Sequence, residues 1–351
     1  MTFQATTMLL ILLSLRSFAV EPELEKQKKW TKTHPVTSSD KITLDNRFGE
    51  LRIVTWDRPE VKVDVTITAT ASTADKAQTM LDNIQISATD TDGDWKVKTI
   101  FEKGIEGGKN QKSQQIKIDY IAYLPKTQPL KLENQFGPIQ LADHDGPLEI
   151  ESRFGSIKAG QLSNLTSLTI EFGKLDIQSI RGGKLTAKFS SVDLKSVSGN
   201  MTATMSFCDA LNIRLDRSLR DIDLRCSYSA VKIEADEQLQ ARFDITTHFG
   251  ELKNKSNFNI KDAAKDDAQS NRGPKFTKKF SGMSGKGEAN VTIRSDFGDV
   301  TISHERASRG KNDLKKENQP SSESPIEHAI VLRSHDQSEK TSNATDTEYR
   351  H

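Results

Sequence analysis

An aromatic residue followed by a small one recurs nine times in this chain, and the recurrence constrains its fold more than any other feature. The copies are Phe48-Gly49, Phe136-Gly137, Phe154-Gly155, Phe172-Gly173, Phe189-Ser190, Phe207-Cys208, Tyr228-Ser229, Phe249-Gly250 and Phe297-Gly298. From the second copy to the eighth the intervals are 18, 18, 17, 18, 21 and 21 residues. A period near 20 belongs to a repeat architecture.

Each copy carries the same apolar frame. Leu148, Ile150, Phe154 and Ile157 match Leu130, Leu132, Phe136 and Ile139, and Ile222, Leu224, Tyr228 and Val231 match them again. Apolar residues alternate up to the aromatic, the period of a half-buried strand. The phase then flips: Leu51 and Ile53 lie three and five residues past Phe48. The glycine is read as the corner or bulge that re-aims the strand. The sixth copy has one extra corner residue, because Leu211 and Ile213 lie four and six beyond Phe207. A unit of two short strands cannot bury its apolar side alone, so successive units stack, with the aromatics as a ladder along the interior. Each buried Phe would then contribute roughly 1.5 to 3 kcal/mol before entropy is counted. The expected fold is all-β: a repeat-built β-solenoid of about 18–21 residues per rung over residues 126–303. An antiparallel β-meander with hairpin turns at the glycines is the alternative.

Residues 41–125 read as an N-terminal β-rich unit with one helix. Its strands are Val61 to Ile67, Ile84 to Ile86, Trp95 to Phe101 and Ile116 to Tyr123, the last two separated by a Lys, Gly and Gln-rich loop. Thr73 precedes a helix to about Asn83, with Ala77, Met80, Leu81 and Ile84 at helical spacing on one face. Residues 1–19 have the short apolar run and the small residues, Ser17 and Ala19, of a signal peptide, although no Lys or Arg precedes the run. Residues 20–40 read as a charged linker, 254–285 as a long loop, the strand pair 289–294 and 300–303 as a cap on the stack, and 304–351 as a disordered polar tail.

Charge excludes some partners. The 50 basic residues against 49 acidic ones become 49 against 49 once Arg16 leaves with the signal segment. Nothing in that balance draws the protein to nucleic acid or an anionic membrane. No later apolar stretch reaches the roughly 18 residues of a membrane helix. Two cysteines, Cys208 and Cys226, do not make a disulfide framework, and they are read as buried or half-buried thiols, with a bridge between rungs as the alternative.

The residues from Lys41 to Ser303 resemble the bacterial "putative adhesin"-like domain family of unknown function, related to adhesin head domains with β-helical folds. The resemblance rests on Leu44-Asp45-Asn46-Arg47-Phe48-Gly49-Glu50-Leu51, on Val54-Thr55-Trp56-Asp57, on Tyr120-Ile121-Ala122-Tyr123-Leu124-Pro125 and on Phe297-Gly298-Asp299-Val300. Many members carry Asn-Gly where this chain has Phe-Gly. The resemblance implies an exported β-solenoid without established catalytic residues, so no functional residue is transferred.

Several polar groups invite chemistry. In register, Lys158, Asp176, Asp193 and Asn212 form one outward column, and Asp176 beside Asp193 is the best candidate for a metal or acid/base pair. Lys158 and Lys195 make a solvated charge ladder the alternative. Asp90-Thr91-Asp92-Gly93-Asp94 has the alternating carboxylates of a calcium loop but lacks its glycine and bidentate glutamate, so a hairpin turn accounts for it. Asp143-His144-Asp145 imitates a catalytic cluster next to the turn Gly146-Pro147, and His248 reads as a surface residue. The expected function is an exported, non-enzymatic binding, adhesin-like or scaffolding module of the cell envelope, without a cofactor, periplasmic or on the cell surface. Its partner would be an envelope protein or a glycan. A carbohydrate-active β-helix enzyme and a periplasmic sensor or assembly partner are the alternatives.

Overall fold

The computed structural model describes residues 24–102, 114–263 and 276–304. The segments read as a signal peptide and as a polar tail beyond His304, and most of the stretch read as a loop before Ile116, lie outside the described residues. Among the described residues the fold is all-β with one helix, and the strands form one continuous mixed sheet.

The N-terminal part comprises β1 (Leu24–Pro35), β2 (Lys41–Arg47), β3 (Leu51–Trp56), β4 (Glu60–Ala71), α1 (Ala74–Asp82), β5 (Ile84–Thr91), β6 (Asp94–Phe101) and β7 (Gln115–Pro125). β1 pairs antiparallel with β4 over twelve residues, so much of the segment read as a linker is a strand. Its exposed lysines sit on an outer edge, where charge discourages pairing with another chain. Thr73 caps α1 by accepting a hydrogen bond from the Lys76 backbone N–H, and Ala77 and Leu81 are buried. Asp92 and Gly93, both at positive φ, make the two-residue turn of the β5–β6 hairpin.

The repeats follow as β8 (Leu130–Gln135), β9 (Ile139–Leu141), β10 (Leu148–Arg153), β11 (Ser156–Leu162), β12 (Leu165–Glu171), β13 (Lys174–Lys188), β14 (Ser191–Ser206), β15 (Leu211–Ser227), β16 (Val231–Ala235), β17 (Ala241–His248) and β18 (Leu252–Asn254). Pairing between units is parallel and in register: Ile150 faces Leu132 and Leu168, and Ile157 faces Ile139 and Leu175. A meander would pair them antiparallel, and that alternative is corrected. Antiparallel strands join the stack at both ends, where β4 pairs with β7 and, beyond the repeats, β20 (Thr277–Met283) pairs with β17 and with β19 (Asn259–Asp262). The segment 254–285 therefore holds two strands where a loop was expected.

The last unit does not cap the stack. β21 (Ala289–Asp296) pairs in parallel with β15 on one side and β17 on the other, and β22 (Val300–His304) pairs with β16 and β18. The seventh and eighth copies are thus separated in space by the ninth. The excursion through β19 and β20 gives the chain the length to return and enter that gap.

The aromatics point outward, which corrects the interior ladder. All nine adopt left-handed backbone, with φ between 49° and 63°. That conformation ends the strand alternation at the aromatic itself and throws its ring to the outside. The interior is filled instead by the residue two positions earlier, a buried column running Asn46, Asn134, Ser152, Ile170, Ala187, Met205, Cys226, Ser295, Thr247. Near the N-terminal end, Asn46 donates to the Ile118 carbonyl and accepts from Thr99, and Asn134 donates to the Gly49 carbonyl.

The small residue after each aromatic answers to close approach, since its own φ is not positive at these corners. A Cβ on Gly155 would lie 2.0 Å from the Gly137 carbonyl oxygen, and one on Gly173 would lie 1.8 Å from that of Gly155. Where serine stands at this position its hydroxyl is used: Ser190 accepts from the Gly173 N–H and donates to the Lys188 carbonyl. Gly155→Ala is expected to destabilise the fold by about 1–3 kcal/mol through overpacking, read from urea unfolding. An unchanged midpoint would mean that the corners have room.

Candidate binding surface

Eight of the aromatic N–H groups donate to a carbonyl of the next unit, for example Phe154 to Glu171, Phe172 to Lys188 and Phe297 to His248, and Phe249 at the end of the ladder donates to Phe276, all at 2.8–3.0 Å. These bonds fix the ring spacing. In spatial order the rings are Phe48, Phe136, Phe154, Phe172, Phe189, Phe207, Tyr228, Phe297 and Phe249, with neighbouring centroids 4.7–5.1 Å apart and planes within 8° of parallel. Phe101 meets Phe48 edge-on at one end, and Phe276 tilts against Phe249 at the other. From Phe136 onward every ring residue of the ladder is between 47% and 57% exposed. Ring faces are covered by neighbours, so the ladder presents mainly C–H edges to solvent.

A left-handed conformation costs a non-glycine residue roughly 1–2 kcal/mol, and each stacked pair returns about 0.5–1.5 kcal/mol. The aromatics are therefore not what the corner backbone itself prefers.

Charged side chains run beside the ladder. Glu171 pairs with Arg153 at 3.3 Å and with Lys188 at 3.1 Å, and His248 lies 3.0 Å from Asp296. Beside Phe48 the surface deepens into a groove of about 1110 Å³, lined in part by Met80, Phe101, Ile116 and Arg52.

The column foreseen one face away is present, with Lys158 beside Asp176, Asp176 beside Asp193 and Asp193 beside Asn212. Lys195 reaches Asp176 at 2.8 Å, which supplies the cation the two carboxylates need. The Asp143-His144-Asp145 residues do not converge on a common point. Asp143 accepts from the Gln161 N–H, and Asp145 accepts from Ser163 and pairs with Lys126 at 3.0 Å. The Ser163 hydrogen bond, then Lys126, holds the Asp145 carboxyl below the usual range. His144 is fully buried, and neither ring nitrogen makes a well-formed hydrogen bond. Burial lowers its pKa to about 4, against an opposing backbone interaction with Gln128. Both cysteines are free and buried, and burial raises both thiols, Cys226 to about 12. Asp94 of the former calcium candidate accepts from Thr43, and Asp90 pairs with His34 at 3.2 Å.

No protein-family model matches the chain, and no curated protein does. Three solved bacterial structures are similar to it. One, described as a "putative cell adhesion protein" from Clostridium sporogenes, is 11% identical with a TM-score of 0.25, covering 80% of this chain and all of that one. A "putative adhesin" from Bacteroides fragilis is 9% identical with a TM-score of 0.34, covering 78% and 97%. A "putative lipid binding protein" from Parabacteroides distasonis is 13% identical with a TM-score of 0.30, covering 78% and 96%.

Two outcomes follow from this geometry. Phe172→Ala removes two stacked contacts and should cost about 1–3 kcal/mol, while Phe172→Asn should cost less because asparagine tolerates left-handed backbone. Urea unfolding of both variants checks the order; equal losses would assign the whole cost to stacking. For His144, the unfolded chain binds a proton near pH 6.5 and the folded chain only near 4. Stability is therefore full above about 6.5 and falls as the pH drops toward 4, by on the order of 3 kcal/mol. His144→Leu should flatten that part of the profile, measured by unfolding at a series of pH values, and an unaltered slope would assign it to other groups.

Proposed function

We propose that this chain is an exported, non-enzymatic module of the bacterial cell envelope, wound as a β-solenoid, which binds or scaffolds through its aromatic edge. The observation that carries the reading is the ladder itself. Nine corners hold aromatics in a conformation that glycine or asparagine would adopt at lower cost, and eight of them are left half exposed. Monomeric proteins rarely leave a continuous apolar strip of that size without a use for it. The column at Asp176 and Asp193, with Asp176 ion-paired to Lys195, fits a solvated face better than an acid/base pair, which supports a binding role over catalysis.

Protease treatment of intact and lysed cells, together with envelope fractionation, tests the reading. The tagged protein is expected to leave the cytoplasm and to sediment with envelope material, and Phe154→Asn, Phe172→Asn, Phe189→Asn in one chain should release it into the soluble fraction. Retention in the cytoplasm would contradict export. Unchanged sedimentation of a folded triple variant would remove the ladder from binding.

A further inference from the structure

We infer that the aromatic ladder is covered by the ladder of a second copy of this chain, in a two-fold dimer whose axis runs along the stack; this rests on the binding role of that edge. Three observations converge on a second copy.

The first is area. An aromatic side chain carries on the order of 200 Å² of surface, so eight half-exposed ring residues present on the order of 800 Å². A standard protein interface buries about 800 Å² on each partner.

The second is period and form. With steps of 4.7–5.1 Å, nine rings span about 40 Å. The rings offer edges, with Phe101 and Phe276 packed against the terminal rings, so a flat sugar or aromatic ligand does not find the open ring face that stacking requires. A partner that meets the whole strip must repeat apolar groups at the same interval over the same length. A second copy does so by construction: a two-fold axis along the stack keeps every ring at its own height, so each ring edge meets the edge of the same ring in the second copy. The outer strand β1 carries lysines that oppose pairing through that edge of the sheet.

The third is charge at the rim. The residue before each aromatic flanks the ladder on one side, and the residue two after it flanks the other. A two-fold axis along the stack brings these flanks together unit by unit. Arg47 then meets Glu50 of the second copy, Glu171 meets Lys174, and His248 meets Glu251; Asp296 opposite Asp299 is the one repulsive pair. An axis across the stack instead sets Lys188 against Lys188 and Glu50 against Glu251, with only Lys174 and Asp209 opposed favourably. Exposed pairs contribute little to affinity, but they select orientation.

Sedimentation velocity on the purified chain over a range of concentrations tests the inference. The wild type is expected to be dimeric at tens of micromolar and the Phe154→Asn, Phe172→Asn, Phe189→Asn chain monomeric, with circular dichroism confirming its fold. A second pair of variants leaves every ring in place. Ser156 lies opposite Arg153 of the second copy in this arrangement, so Ser156→Arg should raise the dimer dissociation constant several-fold and Ser156→Glu should lower it. A wild type that stays monomeric into the hundreds of micromolar would overturn the inference. So would a dimer that survives the triple substitution, or one in which the two Ser156 variants shift affinity in the same direction. A monomer whose ladder captures lipid vesicles or envelope material would also overturn it, while leaving the binding role of the edge intact.

Discussion

The left-handed corner is the constraint on which the rest of this molecule depends. The aromatic of each unit, at positive φ, turns the chain, reverses the inward parity and places the next residue against the corner of the unit beside it. With a Cβ only about 2 Å from the neighbouring carbonyl, that second position admits glycine, or a small residue whose polar atom joins the hydrogen bonding. Parallel register follows, because the corners lock the units at one height. Once they are locked, the aromatic side chains have no choice but to stack.

The interior column shows how the stack ends. Its middle is apolar, through Ile170, Ala187, Met205 and Cys226, which follow one another in register and meet Ser152 on one side and Ser295 on the other. Its ends are polar, with Asn46 and Asn134 at one and Ser295 and Thr247 at the other. At the N-terminal end Thr99 and Tyr120 join Asn46 in a buried hydrogen-bonded group, and burial pushes the Tyr120 hydroxyl well above its ordinary range, so it stays a neutral donor. Such a group has directional requirements that an apolar end would lack, and it helps specify which strands close the stack.

Much of this was legible in the chain. The period near 20, the alternation of apolar residues, the helix capped by Thr73 and the Asp-Gly hairpin each rest on short-range chemistry, and the structure contains them. The outward direction of the rings was not read, although its signal was present: the parity flip at each aromatic requires one residue out of the extended conformation, and the corner was assigned to the glycine. Local pattern also could not reveal the insertion of β21 between β15 and β17 and of β22 between β16 and β18, because it is decided by where the chain returns after more than 30 residues. β1 reads as polar because it lies at an edge and buries little of itself. The pairing of Lys195 with Asp176 was foreseeable in kind, as a charge ladder, but the choice between that and a reactive pair needed the distance.

The most direct test of the outward ladder is thiol labelling in the native state. The native Cys208 and Cys226 are buried and should stay unreactive, so a cysteine introduced at Phe172 can be read against a silent background, with Ala187→Cys as the inward control. At concentrations where the chain is monomeric, Phe172→Cys should react with a maleimide at the rate of an exposed thiol, while Ala187→Cys reacts only after denaturation. Protection of the cysteine at 172 with rapid labelling at 187 would mean that the aromatics lie inside, and the account of the corners would fail.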